Sequence, residues 1–188
     1  MSERKVDDVA PGLLIIDIQN DYFPAGAMPL VGPEAAVVAA ATVLRQFRAE
    51  GEPVFHVRHV WDDEAATFMR PGTPGVEIHP LVAPAELEPV VEKAFPNSFR
   101  ETKLDDLLKS NGVDELVVVG MMTSMCVDAT VRAAADLGYQ VTVVADACAA
   151  PDLEFDGRHV PGADVHAAFL AALADSYATV VKASDLAG

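Results

Sequence analysis

Six short apolar runs, none alternating with polar residues, set the strongest limit on what this 188-residue chain can fold into. They occupy residues 12–17, 53–57, 89–93, 115–120 and 139–144, with a weaker sixth at 177–181. A strand with one wet face shows a polar residue at every second position. A strand covered on both faces reads instead as a continuous apolar run, as in parallel sheets. Helical periodicity fills the gaps. Across 35–50, Val37, Val38, Ala41, Leu44 and Phe47 form an apolar stripe, and Gly51 stands where a C-terminal cap is needed. Residues 102–110 gather Leu104, Leu107 and Leu108 and stop at Asn111-Gly112. Residues 124–137 are alanine-rich and stop at Gly138, while Val165, Ala168, Phe169 and Ala172 trace a last stripe. This alternation predicts an α/β doubly wound fold with right-handed crossovers. The length suits one domain spanning 1–188, with its core at about 12–182. The stretch 61–89 is irregular and rich in Pro and Gly; a loop of that length in a compact domain usually covers a site.

Composition excludes several functions. With 29 acids and 13 bases the formal net charge is −16 at pH 7, a surface that repels polyphosphate, so no nucleic-acid partner is expected. Residues 1–8 are polar and lack the apolar segment of a signal peptide. No apolar run reaches the roughly 18 residues of a membrane span. The two cysteines, Cys126 and Cys148, form no C-x-x-C pair. Thiols in a reducing compartment are the natural reading, which makes the expected location cytoplasmic, with a Cys126–Cys148 bridge as the alternative.

Ligands of open α/β sheets bind at the carboxyl ends of the strands, so reactive residues that end the runs are the candidates. Asp17 ends the first run, Lys93 ends the third, and Cys126 follows the fourth by one short turn. Singly, each has an ordinary structural explanation. An Asp after a strand is a turn residue, a terminal Lys is solvated, and a Cys near a helix start packs as a small hydrophobe. Together on one edge, an acid, a cation and a nucleophile point to covalent catalysis. The segment 120–126 turns into the alanine-rich helix, whose first amides and positive end favour a thiolate and can hold an oxyanion. With Lys93 nearby, the expectation is a Cys126 thiol of lowered pKa and an Asp17 that shuttles its proton.

Three segments carry a family pattern. They are Leu14-Ile15-Ile16-Asp17-Ile18-Gln19-Asn20-Asp21-Tyr22-Phe23, then Lys93-Ala94-Phe95-Pro96-Asn97-Ser98-Phe99 with Thr102 and Leu104, then Gly120-Met121-Met122-Thr123-Ser124-Met125-Cys126-Val127-Asp128-Ala129-Thr130. Asp146-Ala147-Cys148 follows the fifth run. In these segments, and in their order, the chain resembles the isochorismatase-like cysteine hydrolases. The resemblance implies a Rossmann-like six-stranded parallel sheet flanked by helices. It implies Cys126 as nucleophile, Asp17 as the proton-transfer carboxylate and Lys93 as the orienting cation. It also implies a non-proline cis peptide between Met121 and Met122 that aims the amides of Met122 and Cys126 at the substrate oxygen. The implied reaction is hydrolysis of an amide, lactam or ureido C–N bond through a thioester, with no cofactor.

Departures from the pattern narrow the branch. Nicotinamidases of this superfamily carry an Asp-x-His…His metal site after the second strand. Here His56-Val57-Arg58-His59-Val60-Trp61-Asp62-Asp63 lacks it, so no metal is expected, and His59 with Asp62 is the pair that could meet one. Isochorismatases proper act on a vinyl ether without relying on the cysteine, so Cys126 favours C–N hydrolysis. Isochorismatase or nicotinamidase activity, a thiol redox sensor using Cys148 and a non-catalytic binding protein are the alternatives. The loop within 55–80, Asn97-Ser98-Phe99 and Asp152-Leu153-Glu154-Phe155 look most like the metal-free small amidohydrolases, a branch that includes streptothricin hydrolases. Phe23, Trp61 and Phe99 fall on segments that line the pocket in that family, Thr123 joins them, and Arg58 and Arg70 could read a substrate carboxylate. Ser98 reads as the N-cap of the following helix, His166 as bonded to a backbone or carboxylate group, and Cys148 as buried packing. The expected partners are a small-molecule substrate and further copies of the chain, as a homodimer or homotetramer.

Overall fold

The six apolar runs become the six strands of one parallel sheet in the computed structural model, which describes residues 10–186. The polar segment 1–8 lies outside the described residues. The strands are β1 (Ala10–Ile16), β2 (Val54–His59), β3 (Val90–Lys93), β4 (Val113–Met121), β5 (Gln140–Ala149) and β8 (Thr179–Val181). A separate hairpin of β6 (Leu153–Phe155) and β7 (Arg158–Val160) precedes the last of them. The sheet order is β3-β2-β1-β4-β5-β8. The chain winds outward from β1 through β2 and β3, then returns to β4 on the other side of β1. The order therefore reverses between β1 and β4, the place where an open sheet leaves a crevice at its carboxyl edge.

The lack of alternation has a direct cause. Leu13 and Ile15 pack with Ala36, Val37, Ala40 and Leu44 of α1 (Pro33–Glu50). Leu14 and Ile16 face the opposite cluster, with Leu104 and Leu108 of α2 (Leu104–Ser110). Val131 of α3 (Asp128–Asp136) and Leu170 of α4 (Gly162–Ser176) belong to that same cluster. Helices cover both faces, so both faces of each central strand must be apolar. Gly51 ends α1 with φ at 74° and its amide on the Phe47 and Arg48 carbonyls, the left-handed cap expected of it.

Three details differ from the sequence reading. Strand β5 runs on to Ala149, so Asp146 and Cys148 lie within it rather than after it. The helix expected over 124–137 is two pieces: a π-helical turn, Thr123–Val127, and then α3. The hairpin has no counterpart in the sequence reading; Asp156 and Gly157 at its turn have φ values of 52° and 72°, as a two-residue type I′ turn requires. No helix among the described residues is long and apolar enough to cross a membrane.

Candidate active site

Four strand ends deliver the site. Asp17 directly follows β1, with φ at 49°, in the left-handed region that Asp tolerates better than most residues. His59 and Lys93 close β2 and β3 in register with each other. Cys126 sits in the turn after β4. Before that turn, β4 approaches β1 so closely that a Cβ at Gly120 would run into the Ile16 carbonyl, and the φ of 149° suits only glycine. The Met121–Met122 peptide that follows is cis. The amides of Met125 and Val127 both close on the Met122 carbonyl, at 3.0 and 3.2 Å, and the Cys126 amide between them takes no part in that contact.

The side chains of Asp17 and Lys93 are fully buried, with Lys93 Nζ 2.6 Å from Asp17 Oδ2. Nζ also lies 3.1 Å from His59 Nδ1. A carboxylate oxygen of Asp17, a ring nitrogen of His59 and Cys126 Sγ all fall within 4.8 Å of one another. Burial works against the Lys93 ammonium, but Asp17 and then Cys126 more than offset it and raise its pKa. The thiol behaves opposite to expectation. Burial first, then the Asp17 carboxylate, push the Cys126 pKa far up, and Lys93 only partly opposes them. A helix end and a lysine favour the thiolate, but the desolvation of a thiol that is 3% exposed works against both. At rest the site therefore holds a neutral thiol beside a carboxylate–ammonium pair.

Cys126 borders a cavity of about 460 Å³. Its walls are mainly apolar, from Met28, Trp61, Phe68, Pro96, Met122 and Met125. Tyr22, His59 and Ala94 complete the lining. Of the residues expected to bind substrate, Trp61 reaches this cavity, as does Met122. The others are placed elsewhere. Phe23 packs on His79, with ring centroids 4.2 Å apart. Phe99 stacks on Tyr139 at 5.9 Å. Arg58 pairs with Glu77 and Glu92. Arg70 borders a second cavity, of about 560 Å³, to which Phe68 also contributes. Thr123 is fully buried and shares a 2.9 Å hydrogen bond with His166 Nδ1, so His166 ties α4 to the nucleophile turn rather than meeting a backbone or carboxylate group. Ser98 does not cap α2, which starts at Leu104; its hydroxyl meets Thr130 Oγ1 at 2.9 Å. Cys148 is buried, as expected, and both cysteines are free thiols.

Sequence reasoning missed Tyr22, Phe68 and Met28 as wall residues and considered His59 only as a metal donor. Tyr22 stands beside the residue that was chosen, Phe23. On a tight 3₁₀ turn (Asn20–Tyr22) neighbouring side chains diverge, and motif spacing does not say which one turns inward. Two buried polar residues from the same motif hold the loop over the site. Gln19 accepts from the His59 amide at 2.8 Å and donates to the carbonyls of His59 and Val76 at 2.9 and 2.6 Å. Asp21 accepts from the amides of Met69 and Ala27 at 2.6 and 3.1 Å. Residues 61–76 are thereby tied to the end of β1, which brings Trp61 and Phe68 into edge contact at 5.4 Å.

The Asp17, His59 and Cys126 donors are spaced as metal ligands can be. Lys93 Nζ already contacts both Asp17 and His59, so an ammonium stands where a cation would have to bind, and the set does not suit a resident metal. Asp62 is exposed and lies outside this group.

The fold is thus a doubly wound α/β sheet that gathers an acid, a cation and a thiol at its switch point. Residues 11–185 match the isochorismatase domain, and the chain belongs to the isochorismatase family of hydrolases. It is 54% identical over 168 residues to YddQ of Bacillus subtilis (strain 168), an uncharacterized isochorismatase family protein, covering 89% of this chain and 93% of that one. A crystal structure from Oleispira antarctica, classed as an isochorismatase hydrolase, superposes with a TM-score of 0.94 at 50% identity, covering 98% of this chain and 100% of the other. A streptothricin hydrolase of Streptomyces noursei is 39% identical over 143 residues, which is 75% of this chain and 50% of that protein.

Proposed function

We propose that this hydrolase opens the C–N bond of a small amide or lactam through a thioester on Cys126. The observation that carries the reading is the grouping of Asp17, Lys93 and Cys126, with Cys126 bordering an apolar cavity. Asp17 takes the thiol proton as sulphur adds to the carbonyl carbon. The developing oxyanion is held by the amides of Met122 and Cys126. Asp17 then returns the proton to the leaving nitrogen, the C–N bond breaks, and a thioester remains. A water deprotonated by Asp17 adds to the thioester carbon, the C–S bond breaks, and sulphur recovers the proton as the acid departs. Lys93 stays charged throughout, offsetting Asp17 at rest and the sulphur as its proton leaves. The raised thiol pKa supports proton transfer concerted with attack rather than a standing thiolate. The streptothricin hydrolase relative supports lactams as one substrate class to test.

The test is hydrolysis of a panel read by mass spectrometry, with Cys126→Ala as the blank. The panel holds nicotinamide, an N-carbamoyl amino acid, ureidoacrylate, a streptothricin-type lactam and isochorismate. Turnover that vanishes in the variant is expected for at least one amide or lactam. Turnover that survives in Cys126→Ala would refute the covalent mechanism.

A further inference from the structure

Resting on that reading, we propose that the site selects an uncharged amide or lactam, and that His59 orients it by donating a hydrogen bond from its Nε2–H.

The first observation is the charge around the cavity. Only Tyr22, His59 and Cys126 among its lining residues can ionise. The Tyr22 hydroxyl is held neutral by burial and then by Cys126 and Asp17. His59 is held neutral by burial and then by Lys93. Asp17 and Lys93 are fully buried, are not among the lining residues, and face each other at 2.6 Å. Arg58, one of the two cations expected to read a carboxylate, is engaged with Glu77 and Glu92. Arg70 lines the other cavity. A substrate carboxylate entering here would lose its water and meet no free cation among the described residues.

The second observation fixes the histidine tautomer. An ammonium has three donors and no acceptor, so the 3.1 Å contact with Lys93 Nζ requires His59 Nδ1 to accept. A neutral imidazole accepting at Nδ1 carries its proton on Nε2. That N–H meets no partner among the described residues, and the ring is half-buried in the cavity wall. Gln19 holds the His59 backbone at both its amide and its carbonyl, so the ring stands on a fixed strand end. One ring nitrogen of His59 lies within 4.8 Å of Cys126 Sγ, so the ring stands beside the place that the scissile carbonyl must take. A donor in a neutral, mostly apolar cavity recognises a carbonyl or ring nitrogen and gives an anion too little in return for its hydration.

Alkylation of Cys126 tests this without knowing the substrate. Iodoacetamide and iodoacetate differ by one amide-for-carboxylate exchange, and each loses iodide as the S–C bond forms. Rates at Cys126 are read by peptide mass, in about 1 M salt to screen the acidic surface, and normalised to glutathione. We expect a preference for iodoacetamide at least tenfold greater than that of glutathione. His59→Phe should slow iodoacetamide at least fivefold, and His59→Gln, which keeps a donor, should restore most of the rate. Iodoacetate reacting in the same ratio as with glutathione overturns the charge selection. His59→Phe reacting like the parent, or His59→Gln failing as His59→Phe does in folded protein, overturns the donor role. Alkylation needs no turnover, so a failure of the hydrolysis panel with this preference intact would strike the catalytic reading alone.

Discussion

Replacing Lys93 by methionine keeps most of the side-chain length and removes the charge, leaving Asp17 with a carboxylate that is 0% exposed and has lost its 2.6 Å partner. Removing one member of a fully buried pair costs about 3–5 kcal/mol, because the remaining charge is neither solvated nor compensated. For a chain of this length each kcal/mol moves the melting midpoint by roughly 2–4 °C, so Lys93→Met should melt about 6–20 °C lower. The double variant Asp17→Asn/Lys93→Met removes both charges and should recover at least about 2 kcal/mol, since an uncharged pair of similar volume is often neutral in stability. Asp17→Asn alone should lie between, because the ammonium it leaves keeps the contact with His59 Nδ1. Urea unfolding followed by far-ultraviolet circular dichroism at pH 7 gives all four corners of the cycle, with the slope checking that the unfolded state is unchanged. A Lys93→Met loss below about 1 kcal/mol, or a double variant as unstable as the sum of the singles, would refute the view that these charges hold each other in place.

Other consequences are as direct. The alkylation rate of Cys126 should keep rising with pH through 9 with no plateau near neutrality, since burial and Asp17 hold its pKa far up; Asp17→Asn should speed alkylation at pH 8, and a plateau at pH 7 would contradict the neutral thiol. Glu88 has its pKa lowered to about 2: burial opposes this, while Arg48, the Ala85 amide and His56 outweigh it. Its contribution should be present above the unfolded carboxylate range and be lost as pH falls through about 2, so Glu88→Gln should cost about 1–3 kcal/mol at pH 7 and flatten the acid limb of the stability curve below pH 4. Phe68→Ala removes the ring that Trp61 meets at 5.4 Å and that borders both cavities; it should raise KM more than it lowers kcat, with equal losses in both arguing that the wall does more than bind.

The fold was legible because its signal is carried by whole segments. Leu13 and Ile15 on one face and Leu14 and Ile16 on the other require two covering layers, and no local accident of the chain changes that. Asp17, Lys93 and Cys126 were legible as a set because strand ends in such a sheet share an edge. What escaped depends on direction rather than position. Phe23 and Tyr22 are adjacent, yet one packs on His79 and the other lines the cavity. Phe68 and Met28 lie in stretches without periodicity; Phe68 is placed by hydrogen bonds of Gln19 and Asp21 that link residues 40 to 57 positions apart, and Met28 by its own amide on the Asp21 carbonyl at 2.9 Å. The hairpin of Leu153–Phe155 and Arg158–Val160 escaped because three-residue strands carry too little pattern to be told from loop.

The thiol is the instructive reversal. A helix end and a nearby lysine are commonly enough to favour a thiolate, but both act through electrostatics that burial works against first. Here Cys126 sits buried in a π-helical turn, close to the Asp17 carboxylate. A standing thiolate would place two negative charges against one ammonium in that space. Keeping the proton on sulphur leaves the site neutral, and in the proposed mechanism the proton moves to Asp17 only as negative charge passes outward to the substrate oxygen. At every stage one anion faces the Lys93 ammonium and one only, so the buried site never has to hold an uncompensated charge. The same balance accounts for the selectivity inferred for the cavity: a substrate bringing its own carboxylate would add the second anion that the resting site is arranged to avoid.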